Sequence, residues 1–339
     1  MKAFRCRGCD NPLHFENSLC VSCRTPLGYS RAERSIIPVD VSGHYVDAAG
    51  LVWHVCVNLD LSGCTWLAPL AGGQCFSCDL TRTRPCDADA VGVRIYQLAE
   101  RAKRHLIFEL DTLGFPIVSK HEDEVEGLAF DLLSTSGHAV EERVVIGHDR
   151  GVITLDLAES DPAYREKVRA QLAEPYRTML GHFRHEIGHY YEWQLVRGSR
   201  MARCSELFGD EGADYAEAIE RHYSLGPPPG WEQAYISTYA TMHPFEDFAE
   251  TWAHYLHICD TVETTSEYGL TAVGPVSRFG GFRDLVTGVW SPLTVALNMI
   301  NRSMGKDDLY PFVIPGPVLG KLDYVASLRP GAPAPSGRA

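Results

Sequence analysis

The pentapeptide His185-Glu186-Ile187-Gly188-His189 constrains this chain more than any other stretch, because its two imidazoles share a target only if the backbone is helical. On a helix, side chains four residues apart project from one face about one turn apart, within reach of a single metal ion. Glu186, offset from His185 by about 100°, can address a water bound to that metal. Two imidazoles and a carboxylate in this spacing point to zinc-assisted hydrolysis.

The flanking residues supply the helix. Asp161 suits an N-cap and Pro162 a first helical position, Pro175 divides the run into two helices, and Gly198 stops the second. Tyr176, Met179, Leu180, Phe183, Ile187, Tyr190, Tyr191 and Leu195 recur at three- and four-residue steps, the pattern of a largely buried helix. His185 and His189 then lie along one seam of it.

A catalytic zinc takes three protein ligands and keeps a fourth position for water. The segment from His243 to His257 offers the third: Pro244 suits a helix start, and Glu246 and Asp247 in the first turn complement the helix dipole. Glu246 and Glu250 share a face. Glu246 is assigned as the ligand and Glu250 as the carboxylate that holds a ligand histidine by its other ring nitrogen, with the reverse as the alternative. Asp210, Glu211 and Asp214 form a rival cluster at helical spacing, whose plainer reading is a solvated helix start.

The cysteines argue independently. Of 11, eight lie between residues 6 and 78, and the opening MKAFRCRGC lacks the apolar core of a signal peptide. Reduced thiols in a cytoplasmic protein are therefore expected, not a secreted disulfide scaffold. Cys6-x2-Cys9 and Cys20-x2-Cys23 have the paired-knuckle spacing of a four-cysteine zinc ribbon, although spacing alone does not separate zinc from iron. A second structural zinc is expected from Cys56, Cys64, Cys75 and Cys78, with His54 and Cys86 as replacement ligands. Cys204 and Cys259 read as small buried apolar residues. The expected complement is one catalytic and two structural zinc ions.

Charge limits the partners. In residues 1–35 six basic residues face three acidic ones, a surplus that a zinc centre of four thiolates nearly cancels, and the whole chain carries −13. That disfavours nucleic acid and suits a soluble protein. The basic group Arg82, Arg84, Arg94, Arg101, Lys103, Arg104 and His105 reads as a solvated helix face. The ribbons then serve as a structural clamp or recruit a protein partner. No run reaches the apolar length of a membrane span.

The fold class is α+β. Residues 1–30 form the first ribbon and 31–88 a second ribbon-like module; 89–330 form the catalytic domain, and 331–339 a disordered tail. Within the domain, 91–113 predict a helix with Ile95, Leu98, Ala102, Leu106 and Leu110 on its buried stripe. Strands are expected at 128–133, 143–146 and 152–157, the last two joined as a hairpin around Asp149-Arg150-Gly151. Helical patterns follow at 204–224, 244–259, 284–304 and 315–327.

The HExxH helix followed by a second helix carrying Glu246 and Glu250 resembles the gluzincin metallopeptidases. More specifically, GHDRGVITLDLAESD, EPYRTMLGHFRHEIGHYYEW, FGDEGADYAEAIERHY, GPPPGW and YISTYATMHPFEDFAETWAHYLHICDT resemble a bacterial family of zinc-binding metallopeptidases with an N-terminal zinc-ribbon region. The resemblance spans nearly the whole chain. It implies a zincin-like domain with His185, His189 and Glu246 at the metal and Glu186 as general base to a zinc-bound water, but names no substrate. In such enzymes an edge strand pairs with an extended peptide, and GVITLDLA is the candidate edge, which favours a peptide or protein substrate. Tyr235, Tyr239, His254 and His257 are the candidate oxyanion donors. Two other classes stay open, a non-peptidase zinc amidohydrolase and a non-catalytic zinc protein whose ribbons bind a protein or nucleic acid.

Overall fold

The computed structural model describes residues 1–134, 146–160, 178–271 and 281–331. The helix start at Asp161-Pro162, the break at Pro175, the strand begun at Arg143 and nearly all of the tail lie outside them. The described residues form two compact units, one of 1–112 and 116–160, the other of 113–115 and 178–331.

In the first unit, the first two cysteine pairs close matching turns. The Asp10 N–H donates to Cys6 O and the Arg24 N–H to Cys20 O, each at 2.9 Å, and both residues take the left-handed φ that such a turn demands. Strands β1 (Phe4–Arg5) and β2 (Pro12–Leu13) pair antiparallel across the first turn, and β3 (Leu27–Ser30) pairs with β4 (Ser35–Pro38) beyond the second. The second module is a three-stranded antiparallel sheet of β5 (His44–Val46), β6 (Val52–Val55) and β7 (Leu67–Ala68), with short helices α1 (Leu59–Ser62) and α2 (Phe76–Asp79).

These modules are not free-standing beads. Phe4, Phe15 and Tyr29 of the first, Trp66 of the second and Phe108 of helix α3 (Ala90–Leu113) form one aromatic cluster, with ring centroids 4.7–6.4 Å apart. Arg31 grips Asp111 of α3 through two hydrogen bonds of 2.7 Å.

The face that α3 buries differs from the expected stripe. Leu106 and Leu110 are buried as expected, but Ile95 and Ala102 are only half-buried and Leu98 is exposed, while Tyr96, Ala99, Lys103 and Ile107 are buried, together with Glu100 and Arg104. Lys103 and Arg104 are accordingly no solvated face. Lys103 donates to Glu100 at 2.7 Å, and Arg104 pairs with Glu16 and donates to Ser62 O at 3.1 Å. The buried carboxylates and the thiols of the second cysteine set make this face ionic, which hydrophobic periodicity cannot register.

Strands on both sides of α3 form a mixed sheet in the order β10-β11-β9-β8, built from β8 (Thr81–Thr83) before the helix and β9 (Ala129–Leu133), β10 (Gly147–Asp149) and β11 (Val152–Asp156) after it. The hairpin turn forms where expected, although its first described strand is Gly147–Asp149 and Ile146, expected in a strand, lies before it: Arg150 and Gly151 both take positive φ, the primed turn that suits strand twist. GVITLDLA is not an edge. Its strand β11 pairs with β10 on one side and β9 on the other, so among the described residues the edges are β10 and β8.

The second unit is helical in its described residues: α4 (Met179–Leu195), α5 (Ser199–Phe208), α6 (Tyr215–Leu225), α7 (Pro244–Glu267), α8 (Phe282–Leu285), α9 (Ser291–Ser303) and α10 (Gly316–Ser327). The expected helix over 204–224 is two, because Gly209 takes a φ of 106° and Asp214 caps a new helix by accepting the Glu217 N–H. A π turn over Val286–Trp290 joins α8 to α9 just before Pro292, absorbing the proline without breaking the run.

Helices α4 and α7 form the centre of this unit. Phe183, Ile187 and Tyr191 of α4 meet Phe248, Trp252 and Leu256 of α7 in its core, with Tyr191 stacked on Trp252 at 5.0 Å. Gly188 makes the close approach feasible: a Cβ there would lie 3.0 Å from Ala249 Cα and 3.0 Å from Trp252 Cβ.

Candidate metal centres

Helix α4 is set by the Thr178 hydroxyl, which accepts the Gly181 N–H at 2.9 Å, and α7 by His243, whose Nδ1 accepts the Phe245 N–H at 3.1 Å with Pro244 in the first turn. The first turn of α7 thus carries Glu246 to the HExxH face of α4. His185 Nε2 lies 2.9 Å from Glu246 Oε2 and 3.2 Å from His189 Nε2, and His189 Nε2 lies 3.5 Å from the same oxygen. Ligands about 2.05 Å from a tetrahedral zinc stand about 3.3 Å apart. The three separations bracket that value, so the residues fit a zinc ion.

The orientation of each group agrees. The other nitrogen of His185, Nδ1, lies 2.8 Å from Glu250 Oε1, and Ser237 Oγ donates to Glu250 Oε2 at 2.7 Å. With Nδ1 donating to Glu250, the His185 Nε2 lone pair faces a carboxylate oxygen and a second imidazole, an arrangement that calls for a cation. Burial opposes charge on His185, yet Glu246 and Glu250 outweigh it and push the imidazole well above its ordinary range. A dication held there would take the role of that proton. His189 is fixed by stacking on Phe245 at 3.8 Å, and Glu246 by the Tyr215 hydroxyl, which donates to Oε1 at 2.7 Å.

Glu186 is buried beside this cluster, and its Oε2 has no hydrogen-bond partner among the described residues. Desolvation raises its pKa, and the two histidines only partly oppose the shift. Of the four suggested oxyanion donors, Tyr239 approaches the site, its ring 5.7 Å from that of His185. Tyr235 lies against the Lys321 ammonium, while His254 and His257 pack with Tyr310. Asp210 and Asp214 serve turns at the start of α6, accepting the N–H groups of Gly212 and Glu217. Tyr215 and Ser237 escape sequence reasoning, because one supports Glu246 across 31 residues and the other Glu250 across 13.

Two further clusters occur among the described residues. Cys6, Cys9, Cys20 and Cys23 converge, with sulfur separations of 3.6 Å for Cys6–Cys23 and 3.7 Å for Cys9–Cys20. Cys56, Cys64, Cys75 and Cys78 converge likewise, with Cys64 and Cys75 sulfurs 3.5 Å apart. Thiolates about 2.3 Å from a tetrahedral zinc stand about 3.8 Å apart, so both sets fit the ion. The second set comprises four cysteines, without His54 or Cys86. Hydrogen bonds from its neighbours drive the Cys56 thiol down while burial holds Cys75 well above the thiol range, so the four ionise together only around a cation. Cys204 and Cys259 are buried apart from these sets, and burial pushes the Cys204 thiol up to about 12.

Residues 93–328 match the family described as "Putative zinc-binding metallo-peptidase", and residues 3–89 match a zinc-ribbon domain. The chain belongs to that zinc-binding metallopeptidase family, with a zinc-ribbon domain at its N-terminal side. Uncharacterized proteins of Mycobacterium tuberculosis (Rv2568c) and Mycobacterium bovis (Mb2598c) are each 48% identical to it over 338 residues, covering 96% of this chain and 94% of their own. No solved structure matches the chain. No helix among the described residues is long and apolar enough to cross a membrane.

Proposed function

We propose that this protein is a zinc-dependent peptidase of the gluzincin type, with His185, His189 and Glu246 as ligands of the catalytic ion and Glu186 as general base. The observation that carries this reading is the convergence of three donor atoms from α4 and α7 beside a buried carboxylate with an unpartnered oxygen. Zinc bound there would supply Lewis acidity to a peptide carbonyl and acidity to a water.

The chain's own groups supply the rest. Glu186, raised by burial, takes a proton from the attacking water and passes it to the leaving amine. Glu250, anchored by Ser237, holds His185 by Nδ1 and so keeps Nε2 directed at the ion. Burial, reinforced by Glu246, keeps Tyr215 and Tyr239 as O–H donors, and Tyr239 is the better placed to meet the oxyanion because Tyr215 is engaged with Glu246. The two cysteine sets hold structural zinc, since both are closed by four thiols.

Chelator-sensitive cleavage of an unfolded protein tests the reading. Glu186→Gln is expected to retain zinc and lose activity by about a hundredfold or more. Wild-type activity in that variant would remove Glu186 as the base.

A further inference from the structure

Helix α7 delivers Glu246 from its first turn, so whatever fixes the residue before that turn bears on the third ligand. That residue is His243, 4% exposed and the cap of the helix. Both of its ring nitrogens are engaged with backbone: Nδ1 accepts the Phe245 N–H at 3.1 Å, and Nε2 lies 3.1 Å from the Ala213 carbonyl oxygen. A nitrogen that meets an N–H must present its lone pair, and one that meets a carbonyl must carry a proton. The two contacts together require the neutral imidazole protonated on Nε2.

The capping bond needs only an acceptor, which an asparagine oxygen supplies as well. The bond to Ala213 asks for more, a donor at the far side of the same rigid ring. It reaches across 30 residues to the turn before α6. Asp214, next in the chain, caps α6 by accepting the Glu217 N–H at 3.0 Å, and Tyr215 opens that helix. The Tyr215 ring stands edge-on to that of His243, with centroids 5.2 Å apart, and its hydroxyl donates to Glu246 Oε1 at 2.7 Å. The path closes on itself, from His243 through Phe245 to Glu246 and from His243 through Ala213 and Tyr215 to the same carboxylate. Glu246 Oε2 is the oxygen that faces both ligand histidines, so holding Oε1 sets where Oε2 points.

We infer that His243 is a positioning residue for the metal centre: its Nε2–H bond to Ala213 O places Tyr215, whose hydroxyl fixes Glu246 in the orientation that a zinc ion needs. The role in metal binding rests on His185, His189 and Glu246 holding zinc, as proposed above; the tautomer and the link to Ala213 do not.

The test is titration of the full-length protein with a competing zinc chelator, the ion of this site being identified as the one missing from His185→Ala. Tyr215→Phe removes the hydroxyl alone, and His243→Asn keeps a capping acceptor while losing the reach to Ala213. Each is expected to weaken binding of that ion about tenfold. The double variant should be weakened about tenfold as well, because both changes break one path. Two residues that merely stabilised the fold would act independently, and their losses would multiply to about a hundredfold. A second measurement needs no variant: in two-bond ¹H–¹⁵N NMR spectra of the wild-type protein, the His243 ring should be protonated on Nε2 alone. Wild-type affinity in His243→Asn, losses that multiply in the double variant, or a His243 ring protonated on Nδ1 would overturn the proposal while leaving the zinc site in place. Zinc content unchanged in His185→Ala would overturn it together with the zinc site.

Discussion

Gly188 sits between His185 and His189, and its missing side chain sets how closely α7 approaches them. Ala249 Cα and Trp252 Cβ occupy the space that any Cβ there would enter, and the same helix presents Glu246 and Glu250. Gly188→Ala is therefore expected to cost about 1–3 kcal/mol of stability through overpacking. It should also lower zinc retention at this site, because Glu246 moves away as the helices part. Urea unfolding and metal content check both effects, and wild-type values for both would show that the contact yields without moving α7. The residues of the site read from sequence are those with a spacing, His185, Glu186, His189, Glu246 and Glu250. Gly188, Tyr215 and Ser237 were illegible because their partners come from other elements, at distances no periodicity encodes.

At the scale of elements, α7 ties the site to stability. Its His254 and His257 lie in a cluster with Trp290 and Tyr310, and burial holds the His254 pKa down to about 4 from the ordinary 6.5 and that of His257 well below. An unfolded chain takes up these protons below about pH 6.5, whereas native His254 does so only near 4. Their contribution to stability is thus complete above pH 6.5 and falls as pH drops towards 4, by up to about 1.4 kcal/mol per unit for each histidine. His254→Gln should flatten the slope in urea-unfolding free energy between pH 6.5 and 4.5; an unchanged slope would contradict the assignment. Helices with a clear apolar periodicity were legible, α4, α7 and α10 among them. The phase of α3 was not, because Glu100, Lys103 and Arg104 turn inward. Nor was the interior position of β11, since a strand's neighbours are chosen by parts of the chain remote in sequence.

At the scale of the whole molecule, three clusters of side chains that could hold a metal ion stand out among the described residues. The four-thiol sets belong to a unit whose aromatic core spans both zinc-ribbon modules and α3, and Lys103 and Arg104 act electrostatically on Cys78 and Cys64. Cys64→Ser is accordingly expected to remove one zinc and to loosen that shared core, seen as a red shift of the buried Trp66 emission. An unshifted spectrum would mean that the core holds without the ion. The cysteine spacings announced both sets; the common core beneath them was hidden, because its five rings are scattered over a hundred residues. The central claim, that His185, His189 and Glu246 hold a zinc ion distinct from those of the cysteine sets, is tested most directly by elemental analysis of the purified full-length protein. Close to three zinc ions per chain, falling to two in His185→Ala and in Glu246→Ala, is the predicted result. Two in the wild type, unchanged in both variants, would contradict it.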